Sequence, residues 1–301
     1  MAKNKVLHQD KPLYNILQDI GRHHFINEVF DDFLDYCIAC LLVDGCQKTA
    51  ERLKSKYKEK YNRFIEAYKQ LVSEYQKIDW GHTFVDPLGS LYETITSSYK
   101  SSAMGQFFTP EPVCTFMAHI LGPIDKEKWS QEEGKTINDP ACGSGRTVLA
   151  YHVISPFNYL FCEDLDPMCT KMATINMAWH FARGQTVNCN SLMIDDFRFG
   201  YAINPYMEIT RINEDTIDRE KPFHVSGFFI PHIVKIEEHQ CYTLNMWRRK
   251  VAEKLKEQHA PVPVKPKPVP AEEIQKVKEH LSEQAKNTKN LRRPGEQLSI
   301  F

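Results

Sequence analysis

The segment Asp139-Pro140-Ala141-Cys142-Gly143-Ser144-Gly145 sets a carboxylate and two glycines between the apolar start Thr136-Ile137-Asn138 and the helix-forming run Arg146-Thr147-Val148-Leu149-Ala150. Glycines let the backbone approach a ligand closely and leave N–H groups pointing at it. A carboxylate at the head of such a turn suits a ligand bearing a positively charged amino group. Beyond a second apolar run, Tyr159-Leu160-Phe161-Cys162, comes Glu163-Asp164-Leu165-Asp166-Pro167. An acidic residue at the tip of a second strand is placed to hold the hydroxyls of a ribose. Asp164 is the first choice for that role, with Leu165 against an adenine face and Glu163 as the fallback. The pattern differs from a dinucleotide fingerprint, since Val148 stands where the third glycine of GxGxxG would be and an Asp-Pro pair precedes the turn.

These residues need a strand–turn–helix frame. From Thr136 to about Ile203, short apolar runs alternate with helical periods, which predicts parallel strands joined by helices in a doubly wound α/β sheet. Before it, from about Leu13 to Ile78, apolar residues recur every three or four positions: Phe25, Val29, Phe33, Tyr36 and Cys40, then Leu53, Tyr57, Tyr61, Ile65, Tyr68, Leu71 and Tyr75. Two or three helices are expected there. The segment from Gly81 to Pro87 punctuates them, which predicts a helical domain over 1–80, a core over 81–250 and an appended region over 251–301. The run from Ala260 to Pro270 is proline-rich and favours an extended spacer, followed by a short helix and a flexible tail.

With 301 residues and 42% hydrophobic content, the chain can bury one full core plus appendages. Lys and Arg total 38 against 39 Asp and Glu, so contact with a polyanion must come from local patches such as the basic stretch between Arg52 and Lys69. No apolar h-region or spanning segment is evident, and the protein is expected to be cytoplasmic, with no membrane association. Nine cysteines at irregular spacing suit a reducing compartment. Cys37 and Cys40 form a CxxC near Cys46, but they sit in an apolar helix and lack further ligands, so no metal is expected.

Gly105-Gln106-Phe107-Phe108-Thr109-Pro110 followed by the Asp139–Gly145 turn resembles motifs X and I of gamma-class adenine-N6 DNA methyltransferases, in particular the modification subunits of type I restriction-modification systems. Asp86-Pro87-Leu88-Gly89-Ser90-Leu91-Tyr92-Glu93 is similar to the helix preceding motif X there. The resemblance covers about residues 80 to 206. It implies an α/β, Rossmann-like methyltransferase fold with S-adenosyl-L-methionine as cofactor and adenine in DNA as substrate. It also implies that Phe108 and Thr109 enclose the methionine end, with Asp139, Ala141, Gly143 and Gly145 around it. Asn190 occupies the motif III position beside the cofactor adenine, where the family usually has Asp.

The family's catalytic Asn/Asp-Pro-Pro-Tyr/Phe corresponds here to Asn204-Pro205-Tyr206, one proline short. In that chemistry an Asn oxygen and the following carbonyl accept the two N6 hydrogens and keep the lone pair directed at the sulfonium methyl. The aromatic residue stacks on the flipped base. Asn204, the Pro205 carbonyl and Tyr206 are therefore the expected catalytic groups. The missing proline and the lack of an evident target-recognition domain admit an alternative, an accessory protein that binds cofactor and DNA without turnover. An unshortened Asn-Pro-Pro-Tyr also serves methylation of protein glutamine, but the Gly105–Pro110 segment favours DNA. The residues Gln297-Leu298-Ser299-Ile300-Phe301 resemble a peptide that docks on the bacterial sliding clamp, with Gln297, Leu298, Ile300 and Phe301 as anchors. A specificity subunit is the other partner the resemblance implies.

Overall fold

A computed structural model describes residues 12–80, 82–98, 108–121, 135–193, 196–207, 209–210, 224–225, 230–246 and 248–250. Residues 105–107, the proline-rich run and the Gln297–Phe301 peptide lie outside the described residues. The chain forms two compact units, Met1–Lys250 and Val251–Phe301.

The first unit begins with helices α1 (Pro12–Ile20), α2 (Ile26–Leu41), α3 (Gln47–Tyr57), α4 (Arg63–Tyr75), α5 (Pro87–Ser98) and α6 (Glu111–Leu121). The stripe from Leu53 to Tyr75 is two helices rather than one, parted by a 3-10 turn over Lys58–Asn62 that opens with Lys58 at φ +48°. The break lets Tyr57 and Phe64 meet edge to face at 5.0 Å while Tyr36 of α2 stacks on Phe64 at 5.5 Å. Part of the basic stretch is spent internally: Arg52 pairs with Asp32 and Asp35, Lys56 with Glu28 and Asp32, and Lys60 and Arg63 with Asp19. Charges neutralised by neighbouring helices make a poor phosphate-binding stripe.

Then follow β1 (Thr136–Asp139), α7 (Arg146–Ile154), β2 (Tyr159–Asp164), α8 (Pro167–Trp179), β3 (Arg183–Asn188), β4 (Phe199–Ile203), the short pair β5 (Ile209–Thr210) and β6 (His224–Val225), and β7 (Ile233–Ile236). The main sheet has the order β1-β2-β3-β4-β7. The first three strands are parallel; β4 runs antiparallel to β3, and β7 antiparallel to β4. The sheet is thus mixed, not parallel throughout. The link from β3 to β4 spans only residues 189–198, whereas a parallel return needs a crossover of roughly a dozen residues or more. The chain accordingly folds straight back.

The crossovers β1–α7–β2 and β2–α8–β3 progress in one direction, and α7 and α8 bury their residues in one core layer, as connections of the same hand require. Asp166 caps α8, its Oδ1 accepting the Met168 N–H at 2.8 Å with Pro167 in the first turn. Leu160 and Cys162 face this layer, while Phe161 faces the other way and stacks on Tyr242 at 4.6 Å. The N-terminal helices pack behind α8: Lys171 pairs with Asp31 and Asp35, and Tyr75 stacks on Trp179 at 5.9 Å. One hydrophobic core runs from Leu13 through Leu88 to Ile233. The boundary expected near residue 80 is therefore a change of element type, not a break in packing. Among the described residues no helix is long and apolar enough to cross a membrane.

Candidate functional site

The carboxyl ends of β1 and β2 lie side by side, Asp139 in register with Cys162, and the turn after β1 is tied to β2 by Cys142 N–H donating to the Glu163 carbonyl at 3.0 Å. Gly143 and Gly145 adopt φ +56° and +92°, a region costly for other residues. Gly143 N–H donates to Asp164 Oδ2 at 2.8 Å, and Asp166 N–H to Asp164 Oδ1 at 2.9 Å. Each carboxylate oxygen offers two acceptor directions, so one on each remains for a diol. Burial raises the Asp164 pKa, against the two backbone N–H groups that lower it. Asp139 Oδ1 accepts the Ala141 N–H at 3.1 Å, shaping the head of the turn.

A cavity of about 600 Å³ opens over this turn, lined among others by Phe108, Thr109, Asp139, Ala141, Gly143 and Asp164. The Phe108 ring rests on the turn: a Cβ on Gly143 would lie 2.8 Å from its Cδ1. A cofactor with an amino acid end and a nucleoside end fits this lining, since one carboxylate at each end and a cradle kept open by glycine bound a volume typical of ligand sites. Gly145 sits at the N-terminus of α7, behind the lining. Leu165 is exposed at the same edge. Asn190, just past the end of β3, is not among the residues that line this cavity; its Oδ1 accepts Leu192 N–H at 3.1 Å and its own N–H donates to Asp196 at 2.7 Å. Glu163 points to the other face, into a second cavity of about 580 Å³ that it lines with Asn138, Pro140 and Ala141, and burial raises its pKa. Alternation along β2 thus separates Glu163 from Asp164 and removes the fallback.

Asn204, Pro205 and Tyr206 are not brought to this site. Ile203 pairs with Gly184 at the start of β3, whereas Asp164 pairs with Asn188 at its far end. Several residues at ~3.3 Å and three strand spacings at ~4.8 Å put Asn204 on the order of 20 Å from the glycine turn. Its amide is fully engaged: Nδ2 donates to the Ala178 and Ala182 carbonyls at 3.2 and 2.8 Å, and Oδ1 accepts the His232 N–H at 2.9 Å. Ala178 is in the last turn of α8, and its carbonyl also accepts the Phe181 N–H at 3.1 Å, so Asn204 adds a second donor at the helix end. With φ +46° and Met207 N–H donating to its carbonyl at 3.1 Å, it opens a turn, a backbone region that Asn tolerates. Tyr206 is exposed and stacks on His232 at 5.5 Å. The expected base-holding groups are a strand-end turn that locks α8 to β4.

Asp86, Glu93, Ser144, Arg146 and Asn176, to which the sequence alone assigns no role at the site, meet behind the turn. Asp86 Oδ2 accepts from Ser144 Oγ and Arg146 Nε, both at 2.6 Å, and Oδ1 from Asn176 Nδ2 at 2.8 Å. Arg146 reaches Glu93 at 2.9 Å. Burial works against its charge, but Glu93 and Asp86 more than offset that and its pKa is raised. A signal was present: an arginine as first residue of a helix opposes the macrodipole and calls for a carboxylate. Among the described residues no cluster of His, Cys, Asp and Glu could hold a metal, and Cys37 is buried in the helical core.

Residues 84–256 match the family model of the N-6 DNA Methylase. Among solved structures, the chain is similar to the type I restriction-modification system methyltransferase subunit from Streptococcus thermophilus, with 24% identity over 41% of this chain and 26% of that one, at a TM-score of 0.26. The chain thus spans about a quarter of the length of that subunit.

Proposed function

Because this chain belongs to the N-6 DNA Methylase family, we propose that it binds S-adenosyl-L-methionine at the Asp139–Gly145 turn and uses it to methylate adenine N6 in DNA, with base-holding groups other than Asn204. The observation that carries the cofactor half is the Gly143–Asp164 contact at 2.8 Å beneath a cavity of about 600 Å³. In this reading Asp139 takes the amino group of the methionine end, Phe108 and Thr109 close over it, and Asp164 takes the ribose hydroxyls. Leu165 borders the adenine. The bound sulfonium supplies the methyl group; the protein's part is to orient it and exclude water.

A second reading is favoured by the burial of Asn204: the chain holds cofactor and DNA without transferring the methyl group. Incubation with methyl-labelled cofactor and mixed-sequence DNA separates the two. Label on adenine in the wild type and in Asn204→Ala supports transfer by other groups. Saturable cofactor binding with no label supports the accessory role. Label lost in Asn204→Ala while fold and cofactor affinity persist contradicts both assignments of Asn204 made here.

A further inference from the structure

The glycine turn does not shape itself. Resting on the cofactor reading above, we propose that Asp86 is its positioning residue: the carboxylate grips Ser144 and Arg146 on either side of Gly145 and, through Arg146, fixes Phe108 and Thr109 over the cavity.

The Asp86 side chain is fully buried and all its acceptor directions are filled. Oδ1 accepts from Gly89 N–H and Asn176 Nδ2, each at 2.8 Å; Oδ2 accepts from Ser144 Oγ and Arg146 Nε, each at 2.6 Å. Asn176 Nδ2 also donates to the Ser144 carbonyl at 2.9 Å, and Tyr75 OH donates to Asn176 Oδ1 at 2.6 Å. Asp86 at the start of α5 and Asn176 of α8, itself held by Tyr75 of α4, thus converge on Ser144 of the turn. Gly89 confirms that the contact is built for closeness: a Cβ there would lie 2.0 Å from Asp86 Oδ2 and 2.6 Å from Ser144 Oγ.

Arg146 carries the constraint onward. Its guanidinium pairs with Glu93, reaches the Thr109 carbonyl at 3.5 Å and stands over the Phe108 ring at 5.3 Å. Phe108 in turn presses on Gly143. A merely stabilising ion pair would tie helix to helix; this one ends on both walls of the cavity, and Asp86 itself does not line it.

Hydrogen exchange in the unliganded full chain, together with calorimetry using S-adenosyl-L-methionine, tests this. Asp86→Asn sets an amide against Arg146 or the turn donors, and exchange of the Gly143–Thr147 amides is expected to accelerate by about tenfold or more while cofactor affinity falls by a similar factor. Asp32→Asn is the control, removing an equally buried carboxylate bonded to Arg52, Lys56 and Tyr57 away from the turn. It should leave both readouts within about twofold. Ser144→Ala, which removes a single contact, should move both in the direction of Asp86→Asn by about threefold and serves if Asp86→Asn does not fold. Unchanged exchange in the folded variant, faster exchange without loss of affinity, or equal effects from Asp32→Asn would overturn the proposal. A wild type that binds no cofactor overturns the cofactor reading and with it the ligand half of this one, and the exchange comparison still decides whether Asp86 holds the turn.

Discussion

The Asp164 carboxylate accepts the Gly143 N–H at 2.8 Å, so the tip of β2 and the turn after β1 move as one piece. Asp164→Ala removes that anchor and the group facing the ribose. Cofactor affinity measured by calorimetry is expected to fall by about ten- to a hundredfold, the worth of one or two charge-assisted hydrogen bonds. Because burial raises its pKa, the carboxylate takes up its proton at a higher pH than an exposed aspartate. Binding that needs the ionised form should therefore weaken on acidification earlier than an ordinary carboxylate would dictate, and the Asp164→Ala variant should lack this dependence. Wild-type affinity in the variant would remove Asp164 from the site.

Gly143 and Phe108 should be coupled. Gly143→Ala puts a methyl group 2.8 Å from the Phe108 ring at a positive φ. Cofactor binding is expected to drop by about tenfold or more, with partial recovery when Phe108→Ala is added. Additive losses in the double-mutant cycle would show that the two residues do not share the cradle.

Asn204→Ala is expected to act on stability. It removes the side-chain partner of the Ala182 carbonyl and of the His232 N–H, at a cost of about 1–3 kcal/mol in urea unfolding. Cofactor affinity should stay unchanged, since the residue lies at the other end of the sheet. A variant as stable as the wild type would refute this role.

Two buried histidines predict a pH dependence. Burial lowers the pKa of His152 to about 3 and that of His180 to about 4. Both stay neutral in the folded chain, whereas the unfolded chain protonates them below their ordinary value of about 6.5. The unfolded state then binds more protons, so their contribution is intact above pH ~6.5 and is lost as pH falls toward the folded values. His180 Nε2 accepts the Val85 N–H at 3.3 Å, a bond that its protonation would break. Urea unfolding between pH 7 and 4.5 should show a shallower slope in His152→Gln, by about one proton taken up. An identical slope would contradict the assignment.

The shape of the glycine turn was legible in the sequence because it is local. The spacing of Asp139, Gly143 and Gly145, and of Asp164 beyond the next apolar run, dictates its own turn and strand tip. The position of Asn204 was not legible from Asn-Pro-Tyr alone, because an apolar pentapeptide such as Phe199–Ile203 does not reveal its direction. The short link at residues 189–198 does, and it makes Asn204 a cap for α8. The contacts of Asp86 were not legible for a different reason: its partners Ser144, Arg146 and Asn176 are 58, 60 and 90 residues away in the chain, and only the packed core brings them together.

A crystal structure of the chain grown with saturating S-adenosyl-L-methionine tests the central claim most directly. The account predicts ligand density over Gly143, with the methionine end between Phe108, Thr109 and Asp139, the ribose on Asp164, and Asn204 still bonded to Ala182. Density at the Asn204 end of the sheet, or an empty turn in a crystal whose protein binds the ligand in solution, would contradict it.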